Sequence, residues 1–178
     1  MMDRYISVDV ETSGPTVALH SMLQIGACTV DNPSETFQGL LVPISEHADP
    51  NAMEIVGKPL SYFNENGRDP IAVMHDFGVW VRATSGADRN PVFIGFNAAF
   101  DWSFVNWYFL TFGDAANPFG VSPLDIKSYY AGLSGCDWED TRSSRIPEHL
   151  KASTRHTHDA LDDAIEQAEM FRRMRDSR

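Results

Sequence analysis

Alternating apolar and polar residues near the start of the chain predict a β-strand over residues 5–14 that carries two acids. Because successive side chains of a strand point to opposite faces, Asp9 and Glu11 share one face, and the other face carries Ile6, Val8 and Val10. Two acids on one face of a core strand repel each other and lose hydration, which favours a compensating cation. The pattern is consistent with a site for a hard divalent metal or with a solvated strand end.

The rest of the pattern predicts further strands, then helices and strands in alternation. Strands are expected at residues 22–30, 35–42, 91–96 and 122–125, and helices at residues 71–83, 100–112, 126–133 and 159–175. The first three strands suggest an antiparallel meander. Residues 44–69 are typical of an irregular surface excursion with one helical turn near 52–56, and residues 134–155 of a loop with a turn at 148–151. This order indicates an α/β or α+β layered domain with a mixed sheet.

Length and composition indicate one soluble domain over residues 1–178. The chain has 178 residues, of which 43% are hydrophobic and 22% charged, as in soluble globular proteins. No apolar run is long enough to span a bilayer, and the first residues lack signal-peptide order, so we expect a cytoplasmic protein without a membrane partner. Cys28 and Cys136 lie far apart, which argues against a disulfide framework or a zinc knuckle.

The charge limits the kind of nucleic acid that the protein can bind. A net charge of -11 argues against tight, sequence-independent binding to long nucleic acid, because such binding depends on many Lys and Arg contacts to phosphates. An acidic site that holds divalent cations is locally less negative, and a short substrate needs few phosphate contacts. If the substrate is a nucleic acid, we therefore expect short oligonucleotides or frayed single-stranded ends.

Two later segments supply further candidate acids. Asp101 follows the buried strand at its carboxyl end, where ligand sites of α/β sheets concentrate, although an acid in the first turn of a helix also complements the helix dipole. In the closing helix, Asp159 suits the N-cap and Asp162 a capping-box position. Asp163 lies at the edge of the apolar helix face, whereas Asp162 is directed to solvent. Asp163 is therefore the better candidate to face inward.

A histidine precedes this closing helix. His158 lies just before the predicted cap, on the loop that leads into the helix, and a solvated loop residue is the simpler interpretation for a single histidine there. Next to several carboxylates, the alternative is a general base, because imidazole can accept a proton near neutral pH. His156 is a competing candidate.

Three segments together resemble the DEDD exonucleases of the ribonuclease H-like superfamily, in the branch that has a histidine in the third motif. They are residues 9–14 (DVETSG), 95–101 (GFNAAFD) and 158–164 (HDALDDA). Residues 22–27 and 124–125 also resemble the second and fifth strands of that family, so the resemblance covers about residues 5–174. It implies a five-stranded mixed sheet whose second strand is antiparallel, flanked by helices.

The resemblance also implies an activity and its site residues. The activity is metal-dependent 3′-to-5′ hydrolysis of single-stranded or short nucleic acid, with release of nucleoside 5′-monophosphates. Asp9, Glu11 and Asp163 would hold a first metal ion, Asp9 would bridge to a second, and Asp101 would support the second ion. His158 would act as general base and take a proton from the attacking water. The ions would be Mg²⁺ or Mn²⁺, since the ligands are hard oxygens.

A second set of residues is expected to bind the 3′-terminal nucleotide. The candidates are Thr12, Ser13, Gly14, Asn97 and Leu23, with Met22 as an alternative to Leu23 for packing on the base. Ser13 replaces the second threonine that is usual in the family, and it retains a hydroxyl. Residues 44–69 lack a clear match to the helical segment expected at the rim of the cleft.

Several alternatives stay open. A catalytically idle binding module could keep the same fold, and the acids could form a structural Ca²⁺ site, although such sites usually gather ligands from one loop. A basic cluster before the third motif is either a phosphate contact or a solvated loop, and consists of Arg142, Arg145, Lys151 and Arg155. The aromatic residues of helix 100–112 suggest core packing, and part of that surface is a candidate homodimer contact. Preference for DNA or RNA is left open.

Overall fold

The computed structural model describes residues 2–153 and 157–177. Its strands are β1 (Met2–Thr12), β2 (Met22–Thr29), β3 (Thr36–Leu40), β4 (Arg89–Gly95) and β5 (Leu124–Asp125). They form one sheet in the order β3-β2-β1-β4-β5. β2 is antiparallel to β1 and β3, whereas β4 pairs in parallel with β1 and β5. The expected five-stranded mixed sheet with an antiparallel second strand is confirmed.

Six α-helices connect and flank these strands in the described residues. They are α1 (Pro50–Val56), α2 (Leu60–Asn66), α3 (Pro70–Ser85), α4 (Ala99–Phe112), α5 (Ile126–Ser134) and α6 (Ala160–Asp176). Three short 3₁₀ turns lie at Trp138–Thr141, Ser143–Arg145 and Glu148–Leu150. The four longer helices therefore lie where the hydrophobic pattern predicts them.

The prediction of an irregular excursion over residues 44–69 is only partly right. The expected helical turn near 52–56 lies within α1, but α1 is longer than one turn and α2 was not expected. The Asp49 side chain caps α1 by accepting the backbone N–H groups of Asn51 and Ala52, and Pro50 occupies the first turn. Gly57 ends the helix with a left-handed φ of 68°. Each helix has only 7 residues, too few to produce a clear apolar period in the sequence.

Helices cover both faces of the sheet. α3 and α4 pack on one face, and Ile6 and Val8 of β1 belong to the core on that side. α6 packs across β1 and β2 on the other face, where its Gln167 contacts the Asp9 side chain. The alternation of β1 is thus as predicted, since its apolar residues face α3 and α4 and its acids face α6.

A glycine in β2 permits the close approach of α6. Gly26 pairs with Asp9 of β1, and a Cβ atom at Gly26 would lie 2.2 Å from the backbone carbonyl carbon of Ala160. Only glycine fits against the helix backbone at that distance. The start of α6 therefore lies directly on β2, beside the acids of β1.

The aromatic helix α4 contributes mainly to the core. Phe104, Tyr108 and Phe109 are buried, and Trp102 and Trp107 are partly buried against the same cluster. Leu110 is exposed on the same helix, and the homodimer contact stays a prediction.

Candidate active site

Four carboxylates from three segments of the chain converge beside the sheet. Asp9 and Glu11 lie at the end of β1, Asp101 in the first turn of α4, and Asp163 in the first turn of α6. All four side chains are buried, with exposed fractions between 0% for Asp163 and 9% for Asp9. The three sequence motifs thus form one site.

Asp101 reaches the site because β1 extends beyond its parallel partner. The pairing of β1 with β4 ends at Ser7 and Ile94. Farther along β1, the backbone N–H of Val10 donates to Oδ1 of Asp101 at 3.1 Å. The Asp101 carboxylate therefore takes the place of a neighbouring strand and is fixed beside β1.

The backbone at the start of α6 orients Asp163. Asp159 caps the helix by accepting the N–H groups of Leu161 and Asp162, as predicted. The two oxygens of Asp163 accept the backbone N–H groups of Thr157 at 2.9 Å and His158 at 3.1 Å. Asp163 is buried and Asp162 exposed, as the helical wheel predicts.

His158 lies at the open side of the acid cluster. Its side chain is exposed, and its backbone is left-handed with a φ of 59°. One ligand atom each of Glu11, His158 and Asp163 lie within 4.8 Å of one another, close enough to share a metal ion. The competing candidate, His156, lies outside the described residues.

Burial raises the pKa values of Asp9, Glu11 and Asp101. Burial raises the pKa of Asp9 well above its usual range, and the charges of Asp101, Glu11 and Asp163 raise it further. Burial, with the charges of Asp163, Asp101 and Asp159, raises the pKa of Glu11 to about 8. Without a counter-charge, this cluster would hold protons near neutral pH. Buried, mutually repelling hard oxygens suit divalent cations.

Two opposing effects act on the pKa of Asp101. Burial raises its pKa to about 7, and the hydrogen bond from the Val10 N–H opposes the increase. Since a hydrogen bond to an ionised carboxylate favours the charged form, this contact keeps Asp101 more acidic than burial alone would.

Gln167 is a site residue that the sequence analysis missed. Its Nε2 donates to Oδ1 of Asp9 at 2.6 Å, and its Oε1 accepts the backbone N–H of Phe96 at 2.8 Å. Gln167 follows Asp163 by one helical turn and is buried on the same side of α6. The i, i+4 spacing from an inward-facing acid is the signal that could have identified it.

A pocket of about 320 Å³ opens beside Glu11. Its lining consists of Val10, Glu11, Thr12, Gly14, Pro15, Asp49, Ala52, Ile55 and Phe100. Three of these residues belong to α1 or its cap, so the segment interpreted as an excursion forms one wall. The helical turn expected near 52–56 falls in this wall, but its place beside Glu11 could not be predicted, because α1 shows no clear apolar period.

Hydrogen bonds within the T-S-G turn and to neighbouring segments hold this turn after Glu11. The Thr12 hydroxyl donates to the Gly14 carbonyl at 2.9 Å, and both residues line the pocket. The Ser13 hydroxyl donates to the His47 carbonyl at 2.9 Å and accepts the Ser21 N–H at 2.8 Å. Ser13 is fully buried, so its hydroxyl joins the turn to neighbouring segments instead of facing a nucleotide.

The prediction that Leu23 or Met22 packs on a base needs correction. Both side chains are fully buried in β2, and the Met22 N–H donates to Oη of Tyr108 at 2.8 Å. Ile55 and Phe100 supply apolar surface in the pocket instead. Asn97 is exposed in the turn between β4 and α4 with a φ of 70°, and its contact with substrate stays a prediction.

The basic cluster before α6 is largely neutralised by neighbouring acids. Its ion pairs are Arg142–Glu139, Arg145–Asp140 and Lys151–Glu148. Arg155 lies outside the described residues. These local pairs favour the interpretation as a solvated loop.

Comparison with known proteins identifies the family to which the chain belongs. The family model of the RNase T exonucleases matches residues 6–171. The chain is 50% identical over 169 residues to the 3′-5′ DNA exonuclease Cap18 of Escherichia coli, covering 94% of this chain and 89% of that relative. The chain therefore belongs to the RNase T exonuclease family, and the expected histidine-type DEDD exonuclease is confirmed.

Solved structures show the same fold at low sequence identity. The nuclease domain of 3′hExo, a DEDDh family member bound to rAMP, has a TM-score of 0.77 and 16% identity, covering 98% of this chain and 93% of that one. Escherichia coli exonuclease I in complex with a dT13 oligonucleotide has a TM-score of 0.67 and 18% identity, covering 95% of this chain and 40% of that one. Among the described residues, no helix has the length and apolar character needed to cross a membrane.

Proposed function

We propose that this protein is a metal-dependent 3′-to-5′ exonuclease that removes nucleoside 5′-monophosphates from single-stranded DNA ends. The observation that carries the proposal is the convergence of four buried carboxylates next to an exposed histidine. Burying several acids together is unfavourable unless cations neutralise them. The 50% identical relative, which is a DNA exonuclease, supports DNA as the substrate.

The acids of the site would hold two divalent ions, Mg²⁺ or Mn²⁺. Asp9, Glu11 and Asp163 would bind one ion, Asp9 would bridge to the second, and Asp101 would support the second. Such ions supply a nucleophile from water near neutral pH and stabilise the charge on the leaving oxygen. The all-oxygen donor set favours these hard cations over thiolate-binding metals.

His158 is proposed to act as the general base. Its exposed ring lies next to Glu11 and Asp163, at the side where solvent and substrate can reach the acids. The imidazole takes a proton from the attacking water while a new P–O bond forms. The bond from phosphorus to the 3′ oxygen of the preceding nucleotide then breaks, which releases the terminal nucleoside 5′-monophosphate.

The pocket beside Glu11 is proposed to receive the 3′-terminal nucleotide. Ile55 and Phe100 offer apolar surface to its base, and Thr12 and Gly14 line the same pocket as Glu11. Because the net charge of the chain is -11, few contacts to phosphates beyond the pocket are expected. Short or single-stranded substrates fit this charge better than long duplexes do.

The test is degradation of matched 5′-labelled single-stranded DNA and RNA with Mg²⁺, Mn²⁺ or EDTA. We expect a ladder that shortens from the 3′ end, that requires metal and that is faster on DNA. Asp163→Asn and His158→Asn should each lower kcat by about 100-fold or more. Asparagine suits the left-handed backbone at residue 158, so the second change removes the base without adding strain.

The matched control is Asp162→Asn, which changes the neighbouring exposed acid on the same helix turn. Its kcat should stay near the wild-type value. Absence of cleavage by a folded protein that binds Mn²⁺ would favour a catalytically idle binding module. Equal loss in Asp162→Asn and Asp163→Asn would contradict the assignment of the site.

A further inference from the structure

The side-chain amide of Gln167 contacts the acid cluster through Asp9. Gln167 has a neutral side chain with an exposed fraction of 6%, and both ends of its amide form hydrogen bonds within the site. Its Nε2 donates to Asp9, which lies 158 residues earlier in the chain. Its Oε1 accepts the Phe96 N–H, just after the end of β4. One amide thus connects α6, β1 and the exit of β4.

The contact with Asp9 fixes one oxygen of a carboxylate that the proposed function places between two ions. Oδ1 of Asp9 accepts the Gln167 amide at 2.6 Å, and within the described part of the chain Oδ2 receives no hydrogen bond. A carboxylate held through one oxygen keeps its plane and leaves the other oxygen free for a cation. Partners of this kind orient metal ligands and strengthen metal binding in other proteins.

The contact with Phe96 fixes the amide itself. Without it, the Gln167 amide could rotate and present its oxygen to Asp9, which would add repulsion to an already acidic site. Because Oε1 is engaged by a backbone N–H at 2.8 Å, only the NH₂ end can face Asp9. The end of β4 thereby determines which end of the amide meets the carboxylate.

We infer that Gln167 is a positioning residue, which holds Asp9 in the orientation needed to bind both ions by donating to Oδ1 while anchored to the Phe96 N–H. This inference rests on the proposed function. Gln167 lies outside the pocket beside Glu11, so its effect acts through Asp9 and not through the nucleotide.

Two substitutions separate the two hydrogen bonds. Gln167→Met removes both bonds and retains the side-chain volume, which keeps water from the adjacent cavity of about 310 Å³ out of the vacated space. Gln167→Glu retains an oxygen that can accept the Phe96 N–H. At about pH 8.5 or above with metal bound, where the new carboxyl group is ionised, it replaces the donor to Asp9 with a repelling oxygen. If the hydrogen bond donated to Asp9 is needed for activity, both variants lose activity.

The measurements are Mn²⁺ affinity by calorimetry, kcat and KM on single-stranded DNA, and Tm in EDTA. Gln167→Met should weaken Mn²⁺ binding by about 10-fold or more, with a similar fall in kcat. KM for DNA should stay within about twofold of wild type, because the pocket is untouched. Gln167→Glu should also lower kcat by about 10-fold or more.

The control is Gln24→Met, which changes another buried glutamine whose amide donates to an aspartate. Gln24 contacts Asp159 at 2.8 Å, an acid outside the proposed metal set, so Mn²⁺ affinity should be unchanged. Three results would overturn the inference. The first is an equal loss of Mn²⁺ affinity in Gln24→Met, and the second is a wild-type kcat in Gln167→Glu. The third is a loss of activity in the Gln167 variants that only follows their loss of Tm. If the wild type itself neither binds Mn²⁺ nor degrades DNA, the proposed function fails instead.

Discussion

The carboxylate of Asp101 accepts the backbone N–H of Val10 at 3.1 Å, across 91 residues of sequence. This contact joins the first and second motifs and satisfies a β1 amide that β4 no longer reaches. Asp101 therefore has a structural task in addition to its proposed task at the metal site. Substitutions that preserve or remove the acceptor oxygen can separate the two.

We predict different effects for Asp101→Asn and Asp101→Leu. Both should lower kcat by about 100-fold or more, because the charge is lost. Asp101→Asn keeps an acceptor for Val10 and removes a buried charge, so its Tm in EDTA at neutral pH should equal or exceed that of the wild type. Asp101→Leu leaves the amide unpaired and should lose roughly 1–3 kcal/mol of stability relative to Asp101→Asn. Equal Tm values in the two variants would contradict the structural task.

The raised pKa values predict how the stability of the metal-free protein depends on pH. The pKa of Glu11 is raised from 4.5 to about 8, and that of Asp101 from 3.8 to about 7. The folded state therefore binds protons more tightly than the unfolded state does. The stability that these two groups contribute is fully present below their pKa values in the unfolded state. It is lost as pH rises through their pKa values in the folded state.

In EDTA, the Tm should accordingly fall by several degrees or more between about pH 5 and about pH 8.5. Added Mg²⁺ should raise the Tm most at the alkaline end, because ionised acids bind it best. Melting curves across this range provide the measurement, and Glu11→Gln should reduce the decline. A Tm that is constant across the range in EDTA would contradict the prediction.

The close contact between β2 and α6 predicts that Gly26→Ala is harmful. The new Cβ would lie 2.2 Å from the helix backbone, so α6 must move away from the acids of β1. We expect a loss of about 1–3 kcal/mol in the free energy of unfolding, with a strong loss of kcat. Denaturant unfolding and kinetics would measure both effects.

A matched control is Gly132→Ala in α5, where an added Cβ meets nothing within 4 Å. That change should stabilise the helix by up to about 1 kcal/mol and leave kcat near the wild-type value. If Gly26→Ala behaves like Gly132→Ala, the helix start tolerates displacement and the close contact does not determine the site.

The pocket beside Glu11 predicts a specific role for Ile55. This side chain is 52% exposed on α1, and Ile55→Ala should raise KM for single-stranded DNA roughly three- to tenfold through lost contact with the base. Changes in kcat should be small, since Ile55 contributes only apolar surface to the pocket. Ile71→Ala removes an isoleucine of similar exposure, 56%, on α3 outside the pocket and should leave both constants unchanged. Equal effects of the two substitutions would exclude this use of the pocket.

The sequence correctly predicts features that depend on the geometry of a single element. Strand alternation places Asp9 and Glu11 on one face of β1, and helical periodicity directs Asp163 inward and Asp162 outward. The three motifs, in their order, identify the family and with it the five-stranded sheet.

Other features depended on distances between elements. The amide of Gln167 meets Asp9 only because α6 lies against Gly26, and α1 forms a wall of the pocket although its 7 residues show no period. The burial of Leu23 and the bonded hydroxyl of Ser13 likewise follow from packing with distant segments. Local periodicity fixes the direction in which a side chain leaves its own backbone. The partner that it meets is decided by how closely separate elements pack, and that was settled only by the tertiary structure.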